Sequence, residues 1–332
     1  MIEAHDLTKR YGTKLAVDGI SFTVQPGRVT GFLGPNGAGK STTMRMIMGL
    51  DRPTRGTVTV NGRPYAEHRS PLTEVGALLE AKAVHTGRSA RNHLRAIAAT
   101  HGIGDKRVNE VISMTGLDTV AKRRVGGFSL GMGQRLGIAA ALVGDPQTLI
   151  LDEPVNGLDP EGVLWVRNLV KYLAAAEGRT VFLSSHLMSE MAVTADHLIV
   201  IGRGKIIADG PVDTVISQAT KASVRVRSPQ ASDLAARLAG PAITVTPSED
   251  GLLEVHGATA AEVGEIAARS AIVLHELTPL TGSLEDAYMS LTSESVEYHS
   301  AALPGEPSRS TGAHAAVPDP AAPAPTTGED AR

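Results

Sequence analysis

A chain of 332 residues is too long for one average domain and suits a large domain joined to a smaller one. Its formal net charge of −3 argues against the broad basic face of a general nucleic-acid binder, and the absence of cysteine excludes disulfides and thiolate catalysis. With 42% hydrophobic and only 3% aromatic residues the core is expected to be aliphatic. No apolar run approaches the roughly 18 residues that cross a bilayer, and Met1 to Asp6 lacks the basic and apolar regions of a signal peptide. Any membrane-spanning part is therefore expected from another chain.

From Ile2 to about Pro211 strand and helix patterns alternate. Ser21 to Gln25 and Thr57 to Val60 alternate polar and apolar residues, as half-buried antiparallel strands do. Asn61-Gly62 after the second run predicts a tight turn. Val29 to Leu33, Thr148 to Leu151, Val181 to Leu183 and Leu198 to Ile201 are mostly or wholly apolar, which suits parallel strands covered on both faces. Helical patterns at Ser41 to Met48, Gln134 to Leu142 and Val163 to Ala175 separate them, and Arg88 to Val125 reads as a helical insertion. The sum is an α/β core with an antiparallel β edge and a helical subdomain at about 80–135.

Beyond Pro211 the pattern changes. Strands at Ala222 to Arg227, Ile243 to Thr246, Leu252 to Val255 and Ala271 to Leu274 enclose helices at Asp233 to Leu238 and Ala260 to Ala268. That β-α-β-β-α-β order predicts a ferredoxin-like α+β module over 219–295, following a main domain at 1–218. An amphipathic stretch, Leu284 to Leu291, is expected to pack onto the module. From Ser300 to Arg332 the chain holds six of its 19 prolines and no Phe, Trp or Tyr, so 296–332 is expected to be a disordered tail.

Gly34-Pro35-Asn36-Gly37-Ala38-Gly39-Lys40-Ser41 follows a buried strand, precedes a helix and fits the phosphate-loop pattern. Its glycines let backbone N–H groups face phosphate oxygens, and the helix N-terminus adds a favourable dipole. Lys40 can reach the β- and γ-phosphates and the Ser41 hydroxyl can ligate Mg²⁺. The strand Thr148 to Leu151 ends in Asp152 and Glu153, at the strand end where α/β proteins bind ligands. Asp152 suits Mg²⁺, directly or through water. Glu153 suits orienting or deprotonating the water that attacks the γ-phosphate.

Phosphate loops serve kinases, GTPases, helicases and motors alike, so this one alone names no function. Phe128-Ser129-Leu130-Gly131-Met132-Gly133-Gln134-Arg135, lying between the two nucleotide motifs, resembles the signature sequence of ATP-binding-cassette (ABC) ATPases. The resemblance spans about Ile2 to Gly210 and implies ATP as substrate with Mg²⁺. It makes Tyr11 the aromatic that stacks on adenine, adds Thr42 to the residues that hold ATP, and makes His186 the switch that contacts the γ-phosphate. It makes Asn156-Gly157-Leu158-Asp159 the loop that couples two copies of the chain, with Asp159 its charged member. It implies a head-to-tail pair in which Ser129, Leu130, Gly131 and Met132 of one copy close over the ATP on Lys40 of the other.

Two departures stand out. Where the family usually reads Ser-Gly-Gly-Gln, this chain has Ser129-Leu130-Gly131-Met132, keeping the hydroxyl and one glycine. Where the family has a Mg²⁺-contacting Gln, this chain offers Glu80, a carboxylate that can ligate Mg²⁺ or a bound water. Both departures, with Pro154 to Asp159 and the C-terminal module, resemble the antibiotic and daunorubicin-resistance branch of exporters. The implied function is an ATP-hydrolysing motor peripheral to the cytoplasmic face of the membrane, driving a separate integral membrane permease and binding no nucleic acid. Soluble ABC ATPases of ribosomes or DNA usually carry two cassettes or a long coiled coil, and this chain has one copy of each motif. A degenerate regulatory cassette sits badly with intact Lys40, Ser41, Asp152, Glu153 and His186. The cargo is not encoded in this chain.

Overall fold

The computed structural model describes residues 1–79, 84–219, 223–248, 251–280 and 282–292, all within one compact unit, Met1–Glu297. Glu80 and the tail expected at 296–332 lie outside the described residues.

The chain opens with β1 (Ile2–Tyr11), β2 (Lys14–Val24), β3 (Val29–Leu33) and α1 (Lys40–Ile47), then β4 (Arg55–Val60), α2 (Pro71–Glu74) and β5 (Val75–Leu78). β2, β1 and β4 form an antiparallel sheet in that order. The predicted turn is present: Asn61 and Gly62 have φ of 50° and 80°, and Val60 and Arg63 exchange backbone bonds of 2.8 and 3.2 Å. No full second arm follows, because Arg63 pairs only as an isolated bridge. α3 (Ala90–Ala99) and α4 (Asp105–Met114) come next, where the insertion was expected, followed by α5 (Leu130–Leu142), which covers the core helix expected at Gln134 to Leu142. β6 (Thr148–Leu151), α6 (Pro160–Ala175), β7 (Thr180–Ser184), α7 (Met188–Thr194), β8 (His197–Gly202) and β9 (Lys205–Pro211) complete the main domain's sheet. Its order is β5-β6-β7-β3-β8-β9, parallel except for β9, an antiparallel edge strand that the apolar pattern did not single out.

The mostly apolar strands are explained by what covers them. Val29, Leu33, Leu149, Leu151, Val181, Leu183, Leu198 and Val200 point to one face, into a core shared with α3 to α7. Phe32, Ile150, Phe182, Ile199 and Ile201 point to the other, against α1 and the antiparallel sheet. That is the period of two of a strand buried on both sides. The core is mainly aliphatic, with one exception: Phe22, Phe32 and Phe182, three of the chain's four phenylalanines, pack with ring centroids 5.1–6.1 Å apart and join the two sheets.

α8 (Val212–Ala219) leads to β10 (Ser223–Arg227), α9 (Ala231–Leu238), β11 (Thr244–Pro247), β12 (Leu252–His256), α10 (Ala260–Arg269), β13 (Glu276–Leu280) and α11 (Leu284–Thr292). The four strands form an antiparallel sheet in the order β11-β12-β10-β13, the ferredoxin-like arrangement, over a core that includes Val226, Leu234, Val255 and Val263. Two expectations are corrected. The last strand is Glu276–Leu280 and not Ala271 to Leu274: Ala271, at φ 53°, ends α10 with Ile272 N–H bonded to Ala267 O (2.9 Å) and Ala271 N–H to Ala268 O (3.1 Å). This is a Schellman stop without glycine, and Ile272 and Leu274 pack on the module's core without being strand. α11 does not pack onto the module. Leu284, Tyr288 and Leu291 return to the main domain's core beside Val212, Val215 and Ile216 of α8 and Met191 of α7.

Candidate active site

The phosphate loop runs from the end of β3 to the start of α1, as its motif requires. Two glycines are dictated by space. A Cβ on Gly34 would overlap Ile201 O, and Gly39, at φ 113°, would place one 2.7 Å from Ala16 O. Lys40 is buried, with Nζ donating to Gly34 O (2.5 Å) and Pro35 O (3.3 Å), so the ammonium lies inside the curl of its own loop. Burial pushes its pKa below the ordinary lysine value, while the carboxylates of Glu153 and Asp152 pull the other way.

A chain of hydrogen bonds ties the loop to the carboxylate pair. Ser41 Oγ donates to Asp152 Oδ2 (2.8 Å), and Ser184 Oγ donates to Asp152 Oδ1 (2.5 Å). Ser184 Oγ also accepts the N–H of Glu153 (2.9 Å). Glu153 Oε2 accepts the His186 N–H (3.3 Å) and lies 2.7 Å from His186 Nδ1. Glu153 has φ 51°, an uncommon backbone state for a side chain of its size. Ser184 was not picked out from the sequence, although the signal was there. β6 and β7 run parallel with Leu151 opposite Leu183, so the residues that follow, Asp152 and Ser184, emerge side by side.

A cleft of about 420 Å³ is lined by Tyr11, Pro35, Asn36, Gly37, Gly39, Lys40, Ser41, Thr42, Asp152 and Glu153, with Lys14 and Ala16 unanticipated members. Tyr11 stands at its mouth, 46% exposed, its hydroxyl donating to Asp51 Oδ2 (2.8 Å) and Lys9 Nζ 4.9 Å from its ring. Burial, and then the bond to Asp51, raise the Tyr11 phenol pKa. Ala38 is buried against Gly34 and does not line the cleft.

None of Ser129, Leu130, Gly131 or Met132 lines this cleft. Ser129 caps α5, its hydroxyl accepting the Met132 N–H (3.2 Å). Leu130 is 53% exposed and lies over Gly157, where a Cβ would overlap it. Asp159 caps α6 by accepting the Gly162 N–H (2.9 Å), and Pro160 takes the first helical position. Gln134 is a further residue whose place the sequence reading did not foresee, donating from Nε2 to the backbone oxygen of Glu153 (2.9 Å).

A phosphate loop after a central strand, with a carboxylate pair at the end of the next strand but one in the same sheet, defines an α/β nucleoside-triphosphate-binding protein. The family model described as ABC transporter matches residues 17–156, and a domain of unknown function matches 222–285. The bacitracin transport ATP-binding protein BcrA of Bacillus licheniformis is 42% identical over 215 residues, 64% of this chain and 70% of that protein. The uncharacterized ABC transporter ATP-binding protein YhcH of Bacillus subtilis (strain 168) is 34% identical over 307 residues, 90% of this chain and 97% of that one. A solved ATP-binding subunit of an ABC transporter superposes with TM-score 0.60 at 27% identity, over 66% of this chain and 92% of the other. A dimeric cassette in a post-hydrolysis state with ADP and Pi matches with TM-score 0.59, over 64% and 99%; at 22% identity this likeness carries the fold alone. This chain belongs to the ATP-binding subunits of ABC transporters and is an ATPase.

Proposed function

We propose that this chain is the motor of an exporter, working as two copies at the cytoplasmic face of the membrane against a separate integral membrane permease. Among the described residues no helix is long and apolar enough to cross a membrane, and the chain's relatives include ATP-binding proteins of bacitracin transport, lantibiotic transport and Nod factor export. A drug, antibiotic or lipid is accordingly the cargo class favoured. The main domain would close at about residue 218, since the module after it has a separate core.

The observation that carries this reading is the unbroken chain of contacts from Ser41, beside Lys40 in the phosphate loop, through Asp152, Ser184 and Glu153 to His186. In it Gly34 to Thr42 cradle the triphosphate, Lys40 leaves its own carbonyls for the β- and γ-phosphates, and Tyr11 stacks on adenine. Glu153 orients the attacking water and takes its proton, and His186 contacts the γ-phosphate. At 25% exposed, the Glu153 side chain is shielded yet open to water. The signature residues of one copy close over the ATP of the other, and Asp159 sits in the loop that relays closure.

The donor set suits Mg²⁺. Ser41 Oγ and Asp152 Oδ2 are hard oxygens 2.8 Å apart at the phosphate end of the cleft. Mg²⁺ keeps waters and phosphate oxygens as most of its ligands, so two protein oxygens suffice. When bound, the ion neutralises charge on the β- and γ-phosphate oxygens. Glu80 remains an expectation from the sequence.

The test is a pair of substitutions. Lys40→Ala is expected to lose nucleotide binding or turnover. Glu153→Gln is expected to bind ATP, stall, and elute as an ATP-dependent dimer on size exclusion. Turnover at the wild-type rate by Glu153→Gln would remove Glu153 from its role.

A further inference from the structure

We infer that Gln134 is a positioning residue through which the signature helix of a chain holds that chain's own Glu153, so that each ATP site of the dimer feels the other. The inference deepens the function proposed above and rests on its reading of Glu153 and of the two-copy sandwich.

Gln134 lies about a turn and a half along α5 from Ser129. Its side chain is buried, 4% exposed, and its amide Nε2 donates to Glu153 O at 2.9 Å. That oxygen also accepts the Asn156 N–H (3.1 Å), which closes the turn after the carboxylate pair. On the other side of the same residue, Ser184 holds the N–H. Glu153 sits at φ 51°, where a residue with a side chain persists only if its surroundings hold it. Its two flanking peptides are thus gripped from two elements: β7 through Ser184, and α5 through Gln134.

A second contact runs beside the first. The Leu130 side chain fills the space over Gly157, and a Cβ on Gly131 would lie 3.4 Å from both Gly157 O and Leu158 Cδ2. The N-terminal turns of α5 and the turn from Glu153 to Leu158 therefore abut at two places. A shift of α5 that keeps these contacts must carry the Glu153 peptide with it.

The consequence follows from the paired arrangement. Ser129 and Gly131 of one copy meet the ATP bound by the other, whereas Glu153 serves the ATP on its own Lys40. Gln134 then links the residues that sense the other copy's nucleotide to the carboxylate of its own site. A buried amide that merely satisfied a carbonyl would contribute stability and nothing else, so the test needs a readout that stability does not move.

The purified full-length chain would be compared as wild type, Gln134→Leu, Gln134→Glu, Glu153→Gln and the double variant Gln134→Leu with Glu153→Gln. For Gln134→Leu the expected result is a kcat lower by about tenfold, KM for MgATP within about twofold, and a Hill coefficient for ATP falling towards 1. In the Glu153→Gln background, ATP is expected to slow hydrogen exchange at residues 153–159. The double variant should still dimerise with ATP and lose that protection. Gln134→Glu, which keeps the shape but cannot donate while ionised, covers the case in which Gln134→Leu does not fold; its kcat should recover as pH falls. Wild-type kcat and Hill coefficient in a folded Gln134 variant, or full protection in the double variant, would overturn the inference. If Glu153→Gln stalls while Gln134→Leu behaves as wild type, only the role of Gln134 falls. If Glu153→Gln itself turns over normally, the reading of Glu153 fails and this inference goes with it.

Discussion

Ser184→Ala is the sharpest probe of how the carboxylate pair is held. The side chain is fully buried, and its one hydroxyl donates to Asp152 Oδ1 at 2.5 Å while accepting from Glu153 N–H at 2.9 Å. Hydrogen bonds to a charged group contribute about 1.5–3 kcal/mol and neutral ones about 1 kcal/mol, and a buried group left unpaired costs about as much again. Asp152 keeps Ser41 on its other oxygen, which limits its loss. A destabilisation of about 2–4 kcal/mol follows, a fall in Tm of roughly 5–15 °C for a domain of this size. Turnover should suffer separately. With the Glu153 N–H unanchored its carboxylate is aimed less well, and about 1.4–2.7 kcal/mol of lost transition-state stabilisation lowers kcat about 10–100-fold. Calorimetry and ATP turnover on the same preparation read both effects, with Ser184→Thr as a control that keeps the hydroxyl. A Ser184→Ala protein with unchanged Tm and unchanged kcat would refute the argument that this hydroxyl organises the site.

Two further predictions concern packing away from the cleft. Phe182→Ala removes one ring of the trio that joins the two sheets and should cost about 3–5 kcal/mol, read as a lower midpoint in urea. Burial pushes the phenol of Tyr288 on α11 up to about 12. A pKa raised in the folded state means that this group's contribution is complete below the ordinary value of about 10 and is lost as pH rises towards 12. Tm should accordingly fall more steeply between pH 10 and 12 in the wild type than in Tyr288→Phe, and parallel curves would show that α11 docks without Tyr288.

The parts of the site that were legible in the sequence are those whose chemistry is local. Gly34 to Ser41 must be glycine-rich, must follow a strand and must open a helix, and each condition can be read along the chain. Asp152 and Glu153 stand out because three apolar residues, Leu149 to Leu151, precede them. Gln134 is legible as part of the signature and Ser184 as the end of a strand, but their contacts with Glu153 are not, since only register and packing bring them there. The same distinction accounts for the fold. The strands buried on both faces announce themselves by composition, whereas β9, half-exposed at the sheet's edge, carries a weaker pattern. The apolar face of α11 was visible, but its partner was not: a period of 3.6 shows that a helix has a face to bury and says nothing of where. At Ala271 the stop lacks the glycine that normally marks it, and the apolar residues beyond it have the composition of a strand.

The backbone at Glu153 explains why two adjacent carboxylates can serve one cleft. Successive residues of a strand point to opposite faces, so a plain continuation of β6 would turn Glu153 away from whatever Asp152 addresses. The φ of 51° breaks that alternation, and Asp152 and Glu153 both line the cleft, one against Ser41 and the other against His186. A conformation of this kind costs on the order of 1–3 kcal/mol and must be offset by what surrounds it. Ser184 at the N–H, with Gln134 and the Asn156 N–H at the carbonyl, are the groups that do so. Because Gln134 belongs to α5, part of the hold on that strained residue comes from the helix that Ser129 caps. The geometry of the carboxylate is therefore not a property of the strand alone, and it changes with the position of the signature helix.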